Sequence, residues 1–216
     1  MIFQLKIKPA KDKFIAKIYK KSMKELGEFY DIKWTMNMPN ILVVNTRKEL
    51  DVFYGSRSPS WVVGFASWNK IFLLNRKKFG KESSHKYSEK YYSSLIKHEL
   101  SHLFFKIISR GNGNPKWLNE GTAIYTSGQN KERKKPEKFK TFLNFYKEAG
   151  AGVYEEAGFV VDMLVEKYGK AKLLKLIKIS NKISSEGQFK SEFKKIYGFG
   201  LNYKELNKLY VSNSRN

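Results

Sequence analysis

Hydrophobic positions in the first thirty residues recur at helical spacing. Phe14, Ile15, Ile18, Met23, Leu26 and Phe29 predict an amphipathic helix over residues 11–30. After Pro39 the pattern changes. Ile41-Leu42-Val43-Val44 is a β-branched apolar run and predicts a strand. Residues 48–54 predict a short helix stopped by Gly55. The apolar runs 61–66 and 71–74 flank Ser67-Trp68-Asn69-Lys70, which predicts two strands joined by a tight turn.

From Tyr87 onward the period is helical throughout. One long helix is expected from Ser88 to near Arg110, stopped by Gly111-Asn112-Gly113-Asn114-Pro115. Leu100, Leu103, Phe104, Ile107 and Ile108 form one apolar stripe on it, with His98 and His102 on nearly the opposite side. A shorter helix should hold residues 117–125, and the basic stretch 129–136 reads as a loop. Further helices are expected at 137–148, 154–168, 170–180, 187–196 and 202–211. The expected class is therefore α+β, with a small sheet in the N-terminal half and a helical C-terminal half.

The chain has 216 residues, 41% of them hydrophobic and 15% aromatic, which is enough for a packed core in one compact unit. It contains no Cys, which excludes a disulfide framework, a thiolate metal site and a cysteine nucleophile. No apolar run reaches the roughly 18 residues of a membrane helix. The first fourteen residues meet charge early and lack a small-residue cleavage site, so a cytoplasmic protein is expected. The formal net charge of +22 favours acidic or anionic partners. Its lysines are spread along the chain. The densest run, Lys131-Glu132-Arg133-Lys134-Lys135, has no arginine-rich arm or RNA-binding signature beside it, so a solvated surface is preferred over a nucleic-acid site.

Against this background the sequence His98-Glu99-Leu100-Ser101-His102 carries the chemistry, because it fits H-E-x-x-H. Residues i and i+4 of a helix lie on one face, so two imidazoles can reach one ion. Glu99 sits on the flank of that face, where it can act on a water as general base without binding the metal. A chance match, with two core histidines satisfied by hydrogen bonds, is the plain alternative. The chain has only three His, and the third, His85, lies upstream in a polar stretch read as an exposed loop. No His remains to complete the site from downstream. The candidate third ligand is Glu120 in Trp117-Leu118-Asn119-Glu120-Gly121, with 17 residues between it and His102.

These two segments together resemble the gluzincins, the peptidase MA-like zinc metallopeptidases. The resemblance covers roughly residues 60–211. It includes the helix that begins near Tyr154 and runs to Gly169, together with Phe193 and residues 198–206. Residues 1–59 form an α+β segment outside it. The resemblance implies a zincin-like fold and one Zn2+ per chain on His98, His102 and Glu120. It implies hydrolysis of a protein or peptide substrate, with Glu99 as general base. Tyr154 is the candidate donor to the tetrahedral oxyanion, with Tyr125 a weaker one. It also suggests that the strand at residues 71–74, with Gly64-Phe65-Ala66, borders the cleft and pairs with an extended peptide, with an ordinary core hairpin as the alternative left open. The chain lacks the G-x-M-E-N segment of the zinc aminopeptidases, which favours an endopeptidase. The position four residues after Glu120, an Asp in the thermolysin type, is Ile124, so a partner for the histidines must come from elsewhere. Two other readings stay open: a zinc-site binding protein without turnover, and a protease acting at nucleic acid through its basic surface.

Overall fold

The computed structural model describes residues 8–150 and 152–213. The first seven residues of the segment read for a leader lie outside them. Helix α1, Lys13–Tyr30, starts where Asp12 accepts hydrogen bonds from the Phe14 and Ile15 amides. It ends at Asp31 in the left-handed conformation. Strand β1, Asn40–Val44, leads through α2, Arg47–Tyr54, to the hairpin of β2, Gly64–Ser67, and β3, Lys70–Leu74. A capping box of Thr46 and Glu49 opens α2, and Gly55 with φ 84° closes it.

The sheet order is β1-β3-β2, with β1 parallel and β2 antiparallel to β3. Strand β3 is therefore central, and its residues Ile71 to Leu74 are buried. This corrects the expectation that residues 71–74 border a cleft, because both of their edges are already paired. The open edge next to the hairpin belongs to β2. Leu74 donates to the Val63 carbonyl, and the antiparallel alternation then turns the Gly64 and Ala66 amides outward. The strand expected at 61–66 begins only at Gly64. The Trp61–Val63 stretch before it is held by Arg47, which donates to the carbonyls of Pro59, Ser60, Val62 and Glu82.

A single turn, α3, Phe79–Glu82, precedes the long helix α4, Glu89–Ile108, which Ser88 caps through the Tyr91 amide. Helix α4 is buried along most of its length, because α1 and β2 pack on it from one half of the chain and α5, Lys116–Ser127, from the other. Ile107 is the exception in the expected apolar stripe, being exposed near the helix end. Helix α6, Val153–Tyr168, packs on α5. Helices α7, Lys170–Ile179, α8, Glu186–Tyr197, and α9, Tyr203–Asn213, complete the helical half. One hydrophobic core runs through both halves, from Ile15 of α1 through Ile71, Phe72 and Leu73 of β3 to Leu206 of α9. No helix among the described residues is long and apolar enough to cross a membrane.

The helix expected at 137–148 does not form. Only a 3-10 turn, Phe142–Asn144, appears there. Tertiary hydrogen bonds have taken the amides that a helix would use. The buried Glu156 carboxylate of α6 accepts from Lys140, Thr141 and Phe142, and Asn207 of α9 brackets Phe139 through both its amide and its carbonyl. The segment is thereby pinned across α6, with Phe139 and Phe142 buried. The carbonyls of Phe145 and Tyr146 then accept from the Trp117 and Lys116 amides at the start of α5. Removing the carboxylate should strand three buried or half-buried amides. Glu156→Ala is expected to cost about 2–4 kcal/mol in urea unfolding, and Glu156→Gln less than that.

Candidate metal centre

Three donors meet between α4 and α5. His98 and His102 lie one turn apart on α4, and their rings meet edge to face with centroids 4.7 Å apart. Their Nε2 atoms are 3.1 Å apart. Glu120 Oε2, from α5, is 3.4 Å from His98 Nε2 and 3.6 Å from His102 Nε2. Among the described residues these three form the group able to hold a metal ion. The expected ligand set is thus brought together.

The donor chemistry fits a cation. Asn119 Oδ1 lies 2.8 Å from His102 Nδ1 and accepts a hydrogen bond from its N–H, which leaves His102 Nε2 with a lone pair. That lone pair faces a carboxylate oxygen and a second imidazole nitrogen. Glu120 Oε2 is buried without a hydrogen-bond partner. A cation among these atoms would take a lone pair from each and neutralise the buried carboxylate. The spacing also fits. Donors about 2.0–2.1 Å from a tetrahedral ion stand about 3.3–3.4 Å from one another, close to the separations found here.

Asn119 is the orienting partner that the sequence did not assign. It was legible only as the neighbour of Glu120, since its distance to His102 depends on how α5 crosses α4. Ile124 is fully buried and would touch any side chain added at Gly158 of α6, so it belongs to the core. His98 Nδ1 is buried with no hydrogen-bond partner, and none of the described residues takes the role that the missing Asp leaves open.

The glycine of the second segment has a steric role. A Cβ on Gly121 would stand 2.5 Å from the Ala157 carbonyl oxygen. Helix α6 therefore approaches α5 directly behind Glu120, at a place where no side chain fits.

Glu99 is buried beside the donors, 6% exposed. Burial is the main influence on its carboxyl and, with the Glu120 charge, pushes its pKa up to about 7, against the pull of His102, the Ala66 amide and Lys106. Burial acts in the same sense on Glu120. There the His102 and His98 imidazoles and Lys116 outweigh it, and its pKa stays below the ordinary carboxylate range. The two neighbouring carboxyls are thus driven apart, one toward the ionised form and one toward proton exchange near neutrality.

Tyr154, at the start of α6, is half-buried within electrostatic reach of both carboxylates. Burial first, then Glu120 and Glu99, raise its pKa, so its hydroxyl keeps its proton. Its ring meets Trp61 edge to face at 5.9 Å. Tyr125 lies elsewhere, against Phe29 of α1. His85, expected as an exposed loop residue, is partly buried. Its Nε2 lies 3.1 Å from the Trp61 carbonyl and its ring faces Tyr91. The basic run is not a uniform cationic surface: Glu132 pairs with Lys90, and Arg133 donates to the Tyr154 carbonyl at 2.8 Å.

The chain matches no family model, no curated protein and no solved structure.

Loss of the Asn119 contact should release the His102 ring. Asn119→Ala is expected to weaken binding of a divalent metal ion by about 10–100-fold in a competition titration against a chromophoric chelator, with the fold retained by circular dichroism. Gly121→Ala should weaken metal binding as well, by forcing α5 off α6, and should also lower the unfolding midpoint.

Proposed function

We propose that this chain is a zinc-dependent peptidase of the gluzincin kind, with a zincin-like fold, one Zn2+ per chain and an endopeptidase action on protein or peptide substrates. The observation that carries this reading is the convergence of His98 Nε2, His102 Nε2 and Glu120 Oε2 at tetrahedral spacing, with Glu99 buried beside them. Zinc held by these donors would supply a Lewis acid, lowering the pKa of water to about 7 and polarising a carbonyl.

The rest of the chemistry falls to the protein. Glu99 takes a proton from the attacking water on its carboxylate and delivers it to the leaving amine nitrogen. A group with a pKa near 7 is suited to both transfers near neutral pH. Tyr154 keeps its phenolic proton and donates it as a hydrogen bond to the oxyanion. The outward Gly64 amide offers an extended peptide a main-chain partner at the edge of β2. The Ala66 amide also reaches Glu99, so the strand edge and the base lie side by side. Trp61, held over Tyr154, supplies an aromatic wall at the end of the site nearer Tyr91.

The buried His98 Nδ1 without a partner favours a second reading, a zinc-site binding protein with little or no turnover, because an unanchored ligand weakens metal binding. The two readings separate by measurement. Metal analysis of untagged protein should give near one zinc per wild-type chain and a large drop in Glu120→Ala. Glu99→Gln should keep its zinc and lose peptide hydrolysis by at least about 10²-fold. A zinc-replete wild type that cleaves no member of a peptide library would leave the binding reading. Absence of zinc after reconstitution would remove both.

A further inference from the structure

Two lysines share the face of the metal ligands. Lys106 follows His102 by four residues on α4, and Lys116 precedes Glu120 by four residues on α5. One helical turn in each case puts the lysine on the face that carries the donors, and the two lysines lie within electrostatic reach of one another and of the neighbouring carboxyls. Lys106 lies toward the opposite end of α4 from Tyr91. Both lysines are partly buried, and neither forms an ion pair among the described residues.

The two ammonium groups act on one another and on the catalytic carboxyls. Burial, and then Lys116, lower the pKa of Lys106, while Glu99 opposes them. Lys116 in turn helps to hold Glu120 ionised. A Cβ on Gly113 would stand 3.3 Å from Lys116 Nζ, so the ammonium lies over a glycine that leaves it room. Like charges drawn into partial burial repel, and no protein anion is devoted to them. Glu120 is committed to the metal and Glu99 to the proton. With a divalent ion bound, the surroundings of the two lysines carry surplus positive charge. An anion placed between the two lysines would relieve it.

We propose that Lys106 and Lys116 form a subsite for a carboxylate of the substrate, positioning an acidic side chain or a free C-terminus beside the metal centre. This deepens the peptidase reading and rests on it for the word substrate, although the subsite itself is a matter of binding. Two ammonium donors on the ligand-bearing faces of α4 and α5 make charge-assisted hydrogen bonds to a carboxylate, and neutral isosteres cannot replace it. The net charge of +22 brings acidic chains to the surface, whereas these two groups fix where the carboxylate sits.

The test is binding, read without turnover. Zinc-loaded Glu99→Gln protein is titrated by fluorescence anisotropy with labelled alanine-rich peptides carrying a single Glu or its Gln isostere at successive positions. Each peptide is made with a free and an amidated C-terminus. Physiological salt screens the diffuse surface charge. The expected result is at least about tenfold tighter binding of one acidic form over its neutral counterpart. That preference should shrink to within about twofold when Lys106→Met and Lys116→Met are combined, since Met keeps the apolar stem. A preference that follows the Glu position assigns the side chain, and one that follows the free acid assigns the C-terminus. Equal binding of acidic and neutral peptides overturns the proposal. So does a preference that survives in the double variant with its zinc content intact, because the remaining charge would then account for it. A double variant that loses zinc is replaced by each single variant, and the same preference is read. Wild-type protein that binds with the expected preference yet cleaves none of the peptides removes the peptidase reading and leaves the subsite standing.

Discussion

The metal centre depends on the register between α4 and α5. Two ligands come from one helix and the third from the other, so a slip of one turn, about 5.4 Å, would separate them. Polar contacts fix that register. Ser101 Oγ accepts a hydrogen bond from Thr126 Oγ1 at 2.9 Å and lies 2.7 Å from the Tyr30 hydroxyl, which ties α4 to α5 and α1 at one level. The His102–Asn119 contact ties them at a second. Behind α5, Gly121 and Gly158 bring α6 close enough that α5 has no freedom to retreat. Ser101 of the first motif and Gly121, the last residue of the second, thus hold the helices, while their neighbours bring the three donors together.

The N-terminal half does different work at the same site. Tyr92 of α4 donates to the Leu74 carbonyl, so the central strand is anchored to the helix that carries the histidines. The hairpin then delivers β2, whose Ala66 amide reaches Glu99. Arg47 gathers the carbonyls before β2 and leaves the Trp61 ring against Tyr154. The surroundings of the donors differ along α4, aromatic toward Tyr91 and cationic toward Lys106. Between them burial gives Glu99 its basicity, which a surface carboxylate would lack.

Most elements were legible because their signals are local. The caps at Asp12, Thr46 and Ser88 and the stops at Gly55 and Gly111 place the helices nearly where the periodicity does. The His98–His102 pair was legible for the same reason, since i,i+4 spacing is a property of one helix. Failures came where distant partners decide. The stretch 137–148 has helical composition, but the Glu156 carboxylate and Asn207 claim its amides. Sequence order alone did not show that β3 would lie between β1 and β2, so the open edge was assigned to the wrong strand. Asn119 was in view as part of the second motif, yet its role required the crossing of two helices. Lys106 and Lys116 carried a local signal that went unused: each is four residues from a ligand.

The two histidines are not held equivalently. His102 has Nδ1 fixed by Asn119, so its ring plane and tautomer are set before any ion arrives. His98 has a buried Nδ1 with no partner and is oriented by packing against the His102 ring. Rotation of the His98 ring breaks no hydrogen bond at Nδ1, whereas rotation of His102 breaks one in a dry site, where such bonds are strongest. Asn119, His102 and Glu120 therefore form the preorganised part of the centre, and all but His102 come from one turn of α5. The adjustable ligand is the one beside Glu99. The imidazole that acts electrostatically on the Glu99 carboxyl is the fixed one, His102, so the freedom of His98 leaves that influence in place.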